Sequence, residues 1–336
     1  MEAILETRGL TKRYGDVTAV DHLDLTVFSG EVFGLLGPNG AGKTTTTLML
    51  LGLTEPTAGT AVIDGHNCTR QALAVKQMVG YLPDNVGFYP DMTGRENLLF
   101  TGRLNSLSEE ECAARAARLL ERVGMTAAAD RKAGTYSRGM RQRLGVADVL
   151  MKDPRVIIMD EPTLGIDPEG VRELMELIRK LSTEDGRTIL ISSHQFYQIQ
   201  QICDRVGIFV RGRLVACGAV EELGRQLESE GRYILELRAE ALKPLKELLE
   251  VIPGVEEITE SVEGLRIVSS RDVRREVTAR VAAAGGTVLQ LRQSGGDLDE
   301  IYRRYFEKEG EAHDMDSHPS EGGRSAFRLP WKKRAQ

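Results

Sequence analysis

Aromatic side chains are scarce in this sequence: Phe, Trp and Tyr make up 5% of its 336 residues, with a single Trp. That leaves no stacking platform of the kind that holds single-stranded nucleic acid. Positive charge is not in excess either. Lys and Arg number 44 against 50 Asp and Glu, a formal charge of −6, which suits no broad engagement of a phosphate backbone. No stretch approaches the roughly 20 apolar residues that a membrane-spanning helix needs. The start, Met1 to Arg8, has neither the basic opening nor the apolar run of a secretion leader. Cys68, Cys112, Cys203 and Cys217 are too scattered for a metal knuckle or a redox pair, and read as incidental thiols of a reducing compartment. What is present is ample core-forming material, 41% apolar, over a length of about two domains. The expectation is a cytoplasmic globular protein with no nucleic-acid partner.

Ala3–Thr7 and Asp24–Val27 alternate apolar with polar, as half-buried antiparallel strands do. Glu31–Leu36 is more continuously apolar, which predicts a strand buried on both faces, and a helix follows it as far as Gly52. Thr93 to Gly124 is helical in pattern. Ser108 with Glu111 forms a capping box, Cys112, Ala116, Leu119, Leu120 and Val123 line one face, and Gly124 stops the helix. A second buried strand, Val156–Met159, precedes a helix with Asp167 as N-cap and Pro168 in its first turn. Thr188–Ser192 is a third such strand, and Arg211-Gly212-Arg213 turns a hairpin. Buried strands alternating with helices predict an α/β fold with a parallel core sheet and an antiparallel β layer at its start.

From Tyr233 the order changes to βαββαβ: Tyr233–Leu237, Ala241–Val251, Val255–Ile258, Leu265–Val268, Arg274–Ala284 and Thr287–Leu291. This predicts a small α+β ferredoxin-like domain over residues 230–306, capped by a helix at Leu298–Phe306. Residues 307–336 are too polar to offset their ordering entropy and are expected to be disordered. Trp331 beside Lys332, Lys333 and Arg334 is the one pairing there that would suit an anionic membrane surface.

The chemistry starts at Gly37-Pro38-Asn39-Gly40-Ala41-Gly42-Lys43-Thr44, followed by Thr45. Glycines at this spacing let successive backbone N–H groups converge on a phosphate, and the helix that follows adds the positive end of its dipole. Lys43 reaches the terminal phosphates and the Thr44 hydroxyl is placed to ligate Mg²⁺. A second anchor for the metal is a carboxylate ending a neighbouring buried strand, and Asp160 stands directly after Val156–Met159. Glu161 follows as a candidate general base.

With a third motif, Tyr136-Ser137-Arg138-Gly139-Met140-Arg141-Gln142, the sequence resembles the ATP-binding subunits of ATP-binding cassette (ABC) transporters. Ser137 and Gly139 match the family signature Leu-Ser-Gly-Gly-Gln; Tyr136, Arg138 and Met140 depart from it in the manner of drug-resistance and sodium-efflux exporters. The resemblance covers roughly residues 1–224 and implies a P-loop NTPase fold with a helical subdomain at about 93–135. It implies ATP and Mg²⁺ as cofactors, Tyr14 stacked on adenine, and Ser137 and Gly139 contacting ATP held by a second copy of the chain. It also implies that Asp167 sits in a loop joining two sites across that homodimer, and that His194 is a switch histidine near the γ-phosphate. Asp84, in Gly80-Tyr81-Leu82-Pro83-Asp84, stands where the family has Gln or Glu near the metal.

The implied function is an ATPase that energises export of a drug, antibiotic, lipid or ion. Its permease is a separate integral membrane subunit, on whose cytoplasmic face the chain would sit. The alternatives are an importer ATPase, or a soluble cassette ATPase acting on ribosomes or DNA. A single phosphate loop, and the short sequence distance from Lys43 to Asp160, argue against the soluble forms.

Overall fold

The structure, a computed structural model, describes residues 2–223, 233–240, 245–261, 264–294, 298, 301–303, 305 and 306. Strands β1 (Ala3–Tyr14) and β2 (Val17–Phe28) pair antiparallel and run far longer than the alternation predicts. Register shifts interrupt the pairing, and each one breaks the period of two on which that reading rests. With β4 (Ala58–Ile63) and β5 (His66–Asn67) they form a four-stranded layer ordered β2-β1-β4-β5.

The second sheet is ordered β10-β9-β3-β8-β7-β6. It comprises β3 (Val32–Leu36), β6 (Val79–Leu82), β7 (Val156–Asp160), β8 (Thr188–Ser193), β9 (Arg205–Val210) and β10 (Arg213–Gly218). All its pairings are parallel except the β9–β10 hairpin. Every residue of β3, β7 and β8 is buried, which is why these segments read as unbroken apolar runs. One core, with Leu5, Leu23, Phe33, Leu35 and Ile158, fills the space between the sheets. A second, with Leu144, Ile157, Met159, Leu174 and Ile191, lies under the helices on the other face.

Those helices are α3 (Gly94–Leu104), α4 (Glu109–Arg122), α5 (Arg138–Leu150), α6 (Pro168–Thr183) and the single turn α7 (Phe196–Gln200), whereas α1 (Lys43–Leu50) and α2 (Ala72–Met78) contribute Met49, Leu50 and Val75 to the first core. The Ser108–Glu111 capping box is present, and Thr93 with Glu96 forms a second at the start of α3. Asp167 caps α6 by accepting from Gly170 N at 3.2 Å. Because β3, β6, β7 and β8 run parallel, the residues that follow them collect at one edge of the sheet.

Tyr233 onward builds β11 (Tyr233–Glu240), α8 (Leu245–Glu250), β12 (Val255–Ser261), β13 (Gly264–Ser269), α9 (Arg274–Ala283) and β14 (Thr287–Ser294). The antiparallel order β12-β13-β11-β14 is that of a ferredoxin-like sheet, with its own core at Leu235, Leu237, Ile267, Val277 and Val281. One expectation is corrected here. Leu298 and Ile301 are buried in the core beneath the helices of the first domain, not in the small sheet's core. Apolar periodicity marks a helical face but not the neighbour that covers it. The expected helix start at 241–244 and the tail from 307 lie outside the described residues. Among the described residues no helix is long and apolar enough to cross a membrane.

Candidate active site

The loop leaving β3 is held so tightly that side chains are excluded at its two ends, Gly37 and Gly42. A β-carbon on Gly37 would lie 2.5 Å from the Phe209 carbonyl oxygen, and one on Gly42, at φ +105°, 2.3 Å from that of Ala19. Gly42 is also the N-cap of α1 and offers no side-chain cap, so the first N–H groups of the helix keep their capacity for an anion. Lys43 opens that helix and is 5% exposed. Its ammonium donates to Gly37 O at 2.6 Å and Pro38 O at 3.1 Å and lies 3.7 Å from Glu161 Oε1. Burial pulls its pKa down, opposed by the nearby carboxylates of Glu161 and Asp160.

Asp160 ends β7 and uses both carboxylate oxygens. Oδ2 accepts from Thr44 Oγ1 at 3.1 Å, and Oδ1 accepts from the Ser192 hydroxyl at the end of β8. Glu161 follows in a left-handed backbone conformation, φ +46°, with its amide donating to Ser192 O at 2.9 Å. An L-residue with a Cβ pays for that conformation, and such strain collects at working sites. It turns the carboxylate so that Oε1 lies 2.8 Å from His194 Nδ1, while Oε2 accepts from Ser193 Oγ at 3.2 Å and His194 N at 3.4 Å. Asp84 enters from the end of β6. Burial, with the charges of Asp160 and Asp84, pushes the Tyr81 phenol up to about 12.

These groups share one cavity of about 440 Å³. Of the residues singled out from the sequence, Asn39, Gly40, Gly42, Lys43, Thr44, Thr45, Asp84, Asp160, Glu161 and His194 line it. Gly37, Pro38 and Ala41 belong to the loop itself, Gly37 and Pro38 through the carbonyls that hold Lys43. Tyr14 does not line the cavity; it stands 50% exposed at the end of β1, with the Lys12 ammonium 4.9 Å from its ring centroid. Ser137 and Gly139 are likewise outside it. Ser137 caps α5 by accepting from Met140 N at 3.2 Å, and a β-carbon on Gly139 would meet Ile166 at 3.3 Å.

Four contributors were not read from the sequence: Ala19, Leu164, Ser192 and Ser193. The serines carried a signal, since two hydroxyls ending a fully buried strand require buried partners. Ala19 carried none, because it acts near the loop through its backbone. The Thr44 hydroxyl and the Asp160 and Asp84 carboxylates are hard oxygen donors of the kind that suit Mg²⁺.

A phosphate loop between buried strand and helix, facing an acidic strand end, defines a P-loop nucleoside triphosphatase. Residues 20–164 match the family described as ABC transporter. Over 224 residues the chain is 38% identical to the linearmycin resistance ATP-binding protein LnrL of Bacillus subtilis, covering 67% of this chain and 72% of the relative. Over 304 residues it is 35% identical to the bacitracin transport ATP-binding protein BcrA of Enterococcus faecalis, covering 90% and 96%. The solved structure of cbiO1 from Clostridium perfringens, part of the ABC transporter complex cbiONQ, is similar with TM-score 0.62 and 29% identity, covering 68% of this chain and 93% of that one. The chain belongs to the ATP-binding subunits of ABC transporters, and is an ATPase.

Proposed function

We propose that this ATPase powers export of a small molecule through a separate membrane subunit, from the cytoplasmic face of the membrane. Export is supported by the relatives, named for linearmycin resistance and bacitracin transport. The observation that carries the catalytic reading is the Glu161–His194 contact of 2.8 Å beside the phosphate loop. In this reading Glu161 accepts a proton from a water whose oxygen bonds to the γ-phosphorus. The bond from that phosphorus to the β–γ bridging oxygen breaks, and ADP and phosphate leave. Lys43, the loop amides and His194 hold the charge that develops on the γ-oxygens. Thr44, Asp160 and Asp84 would hold Mg²⁺, which when bound neutralises phosphate charge. Asp84 is shorter than the usual Gln or Glu and would reach the ion through water.

Tyr14 would stack on adenine from its exposed position. Ser137 and Gly139 would complete the ATP site of a second copy, since in one chain they stand outside the cavity. Residues 1–224 would form the cassette, with 93–135 and the Asp84 loop meeting the permease; residues 233–294 would form an accessory unit, with Leu298 and Ile301 returning to the cassette's core.

Replacing Glu161 with Gln tests the base. ATP binding should persist, turnover should fall at least about a hundredfold, and ATP-bound dimers should accumulate on gel filtration. Turnover at the parental rate would remove Glu161 from the mechanism.

A further inference from the structure

Helix α7 begins two residues after His194 and is a single turn, with no side-chain cap at its N-terminus. So short a helix is not stable by itself and takes its position from what packs against it. Leu298, Ile301 and Tyr302 pack there. The Phe196 ring, first in α7, stacks on Tyr302 with centroids 4.8 Å apart and planes 24° from parallel. Gln200, last in α7, accepts from Leu298 N at 3.2 Å through its side-chain oxygen. Between these points Leu298 and Ile301 are fully buried in the same core as Ile199.

We propose that Tyr302 is a positioning residue for ATP hydrolysis: by stacking on Phe196 it fixes α7, and thereby holds His194 against Glu161. The inference rests on the assignment of His194 above. The link is short. His194 meets Glu161 through both its ring, at 2.8 Å, and its backbone amide, at 3.4 Å. Ser193 Oγ also accepts from Gln195 N at 3.0 Å while donating to Glu161. Any slide of α7 therefore pulls on the same few atoms that orient the carboxylate. The lever spans more than a hundred residues of sequence, so Tyr302 becomes part of the cassette's working machinery.

The test is steady-state ATPase of the full chain. Tyr302→Ala should lower kcat about two- to tenfold, the range that loss of one aromatic stack converts to, with KM for ATP unchanged. Tyr302→Phe keeps the ring and should restore the parental kcat. Phe196→Leu should repeat the loss, and serves if Tyr302→Ala does not fold. In a His194→Ala background Tyr302→Ala should add nothing. Parental kcat in Tyr302→Ala (or in Phe196→Leu where Tyr302→Ala does not fold), a Tyr302→Phe variant as slow as the alanine, or a full additional loss without His194 would each overturn the inference. Should His194→Ala alone run at the parental rate, the assignment of His194 falls and this inference with it; a slow His194→Ala beside a normal Tyr302→Ala overturns the inference alone.

Discussion

The Arg138 guanidinium lies over Gly165, so near that a β-carbon on that glycine would meet Arg138 Nη1 at 3.0 Å and Cδ at 3.1 Å. Gly165 also holds φ at +70°. The contact ties the first turn of α5 to the loop ahead of α6, and Ile166 of that loop packs toward both Gly139 and Gly170. The signature stretch and the Asp167 loop are thus one packed unit within a single chain.

Gly165→Ala disturbs that unit in two ways. The left-handed backbone costs an alanine roughly 1–2 kcal/mol, and the added methyl displaces Arg138. Turnover should fall about tenfold if that cost is borne in the working state, while ATP affinity of the monomer stays unchanged. Paired ATPase and ATP-titration measurements check both halves.

Ser137 already has a structural task, so its substitution needs a control. Ser137→Ala removes the α5 cap and should cost about 1 kcal/mol of stability. Ser137→Asn keeps a capping oxygen and should be near parental in denaturation. Both variants should lose ATPase if the hydroxyl meets phosphate across the dimer. Activity surviving in the Asn variant would leave Ser137 a cap and nothing more.

Asp160→Asn removes the charged oxygen that faces Thr44. The Mg²⁺ concentration giving half-maximal ATPase should rise at least about tenfold, since Mg²⁺ sites rest on one or two carboxylates. ATP binding measured in a chelator should not change. An unchanged Mg²⁺ requirement would place the ion elsewhere.

Glu31 supplies a pH dependence. It is 6% exposed, accepts from Phe28 N at 2.7 Å and Arg205 Nη1 at 3.2 Å, and Arg205 lies over the rings of Phe28 and Phe33. Burial holds its carboxyl above the ordinary 4.5, against the pull of the Phe28 N–H and Arg205. A raised carboxyl pKa favours folding below the unfolded value, and that advantage is lost as pH rises through the folded one. Arg205→Ala should therefore cost roughly 3 kcal/mol at neutral pH by leaving a buried charge unpaired. Part of that loss should return as pH is lowered toward 4.5. Urea denaturation at two pH values measures it, and adding Glu31→Gln should abolish the pH dependence.

What the sequence made legible was what lies in one continuous run. Gly37 to Thr44 and Asp160–Glu161 could be found because a buried strand and the polar run at its end are adjacent in the chain. Strand β6 escaped, since it is four residues long and carries Gly80. That glycine is there for α5: a β-carbon on it would meet Val149 at 2.3 Å. The Ser192 bond to Asp160 and the seat of Leu298 and Ile301 depend on which elements become neighbours, and no local pattern encodes that.

Ser192 donates to one carboxylate oxygen of Asp160 and Thr44 to the other, so the carboxylate is held from two neighbouring elements at once. A compact ion that keeps most of its own water, as magnesium does, needs only one such oxygen. Two neutral hydroxyls from different elements thus set the aim of the pocket's acidic strand end.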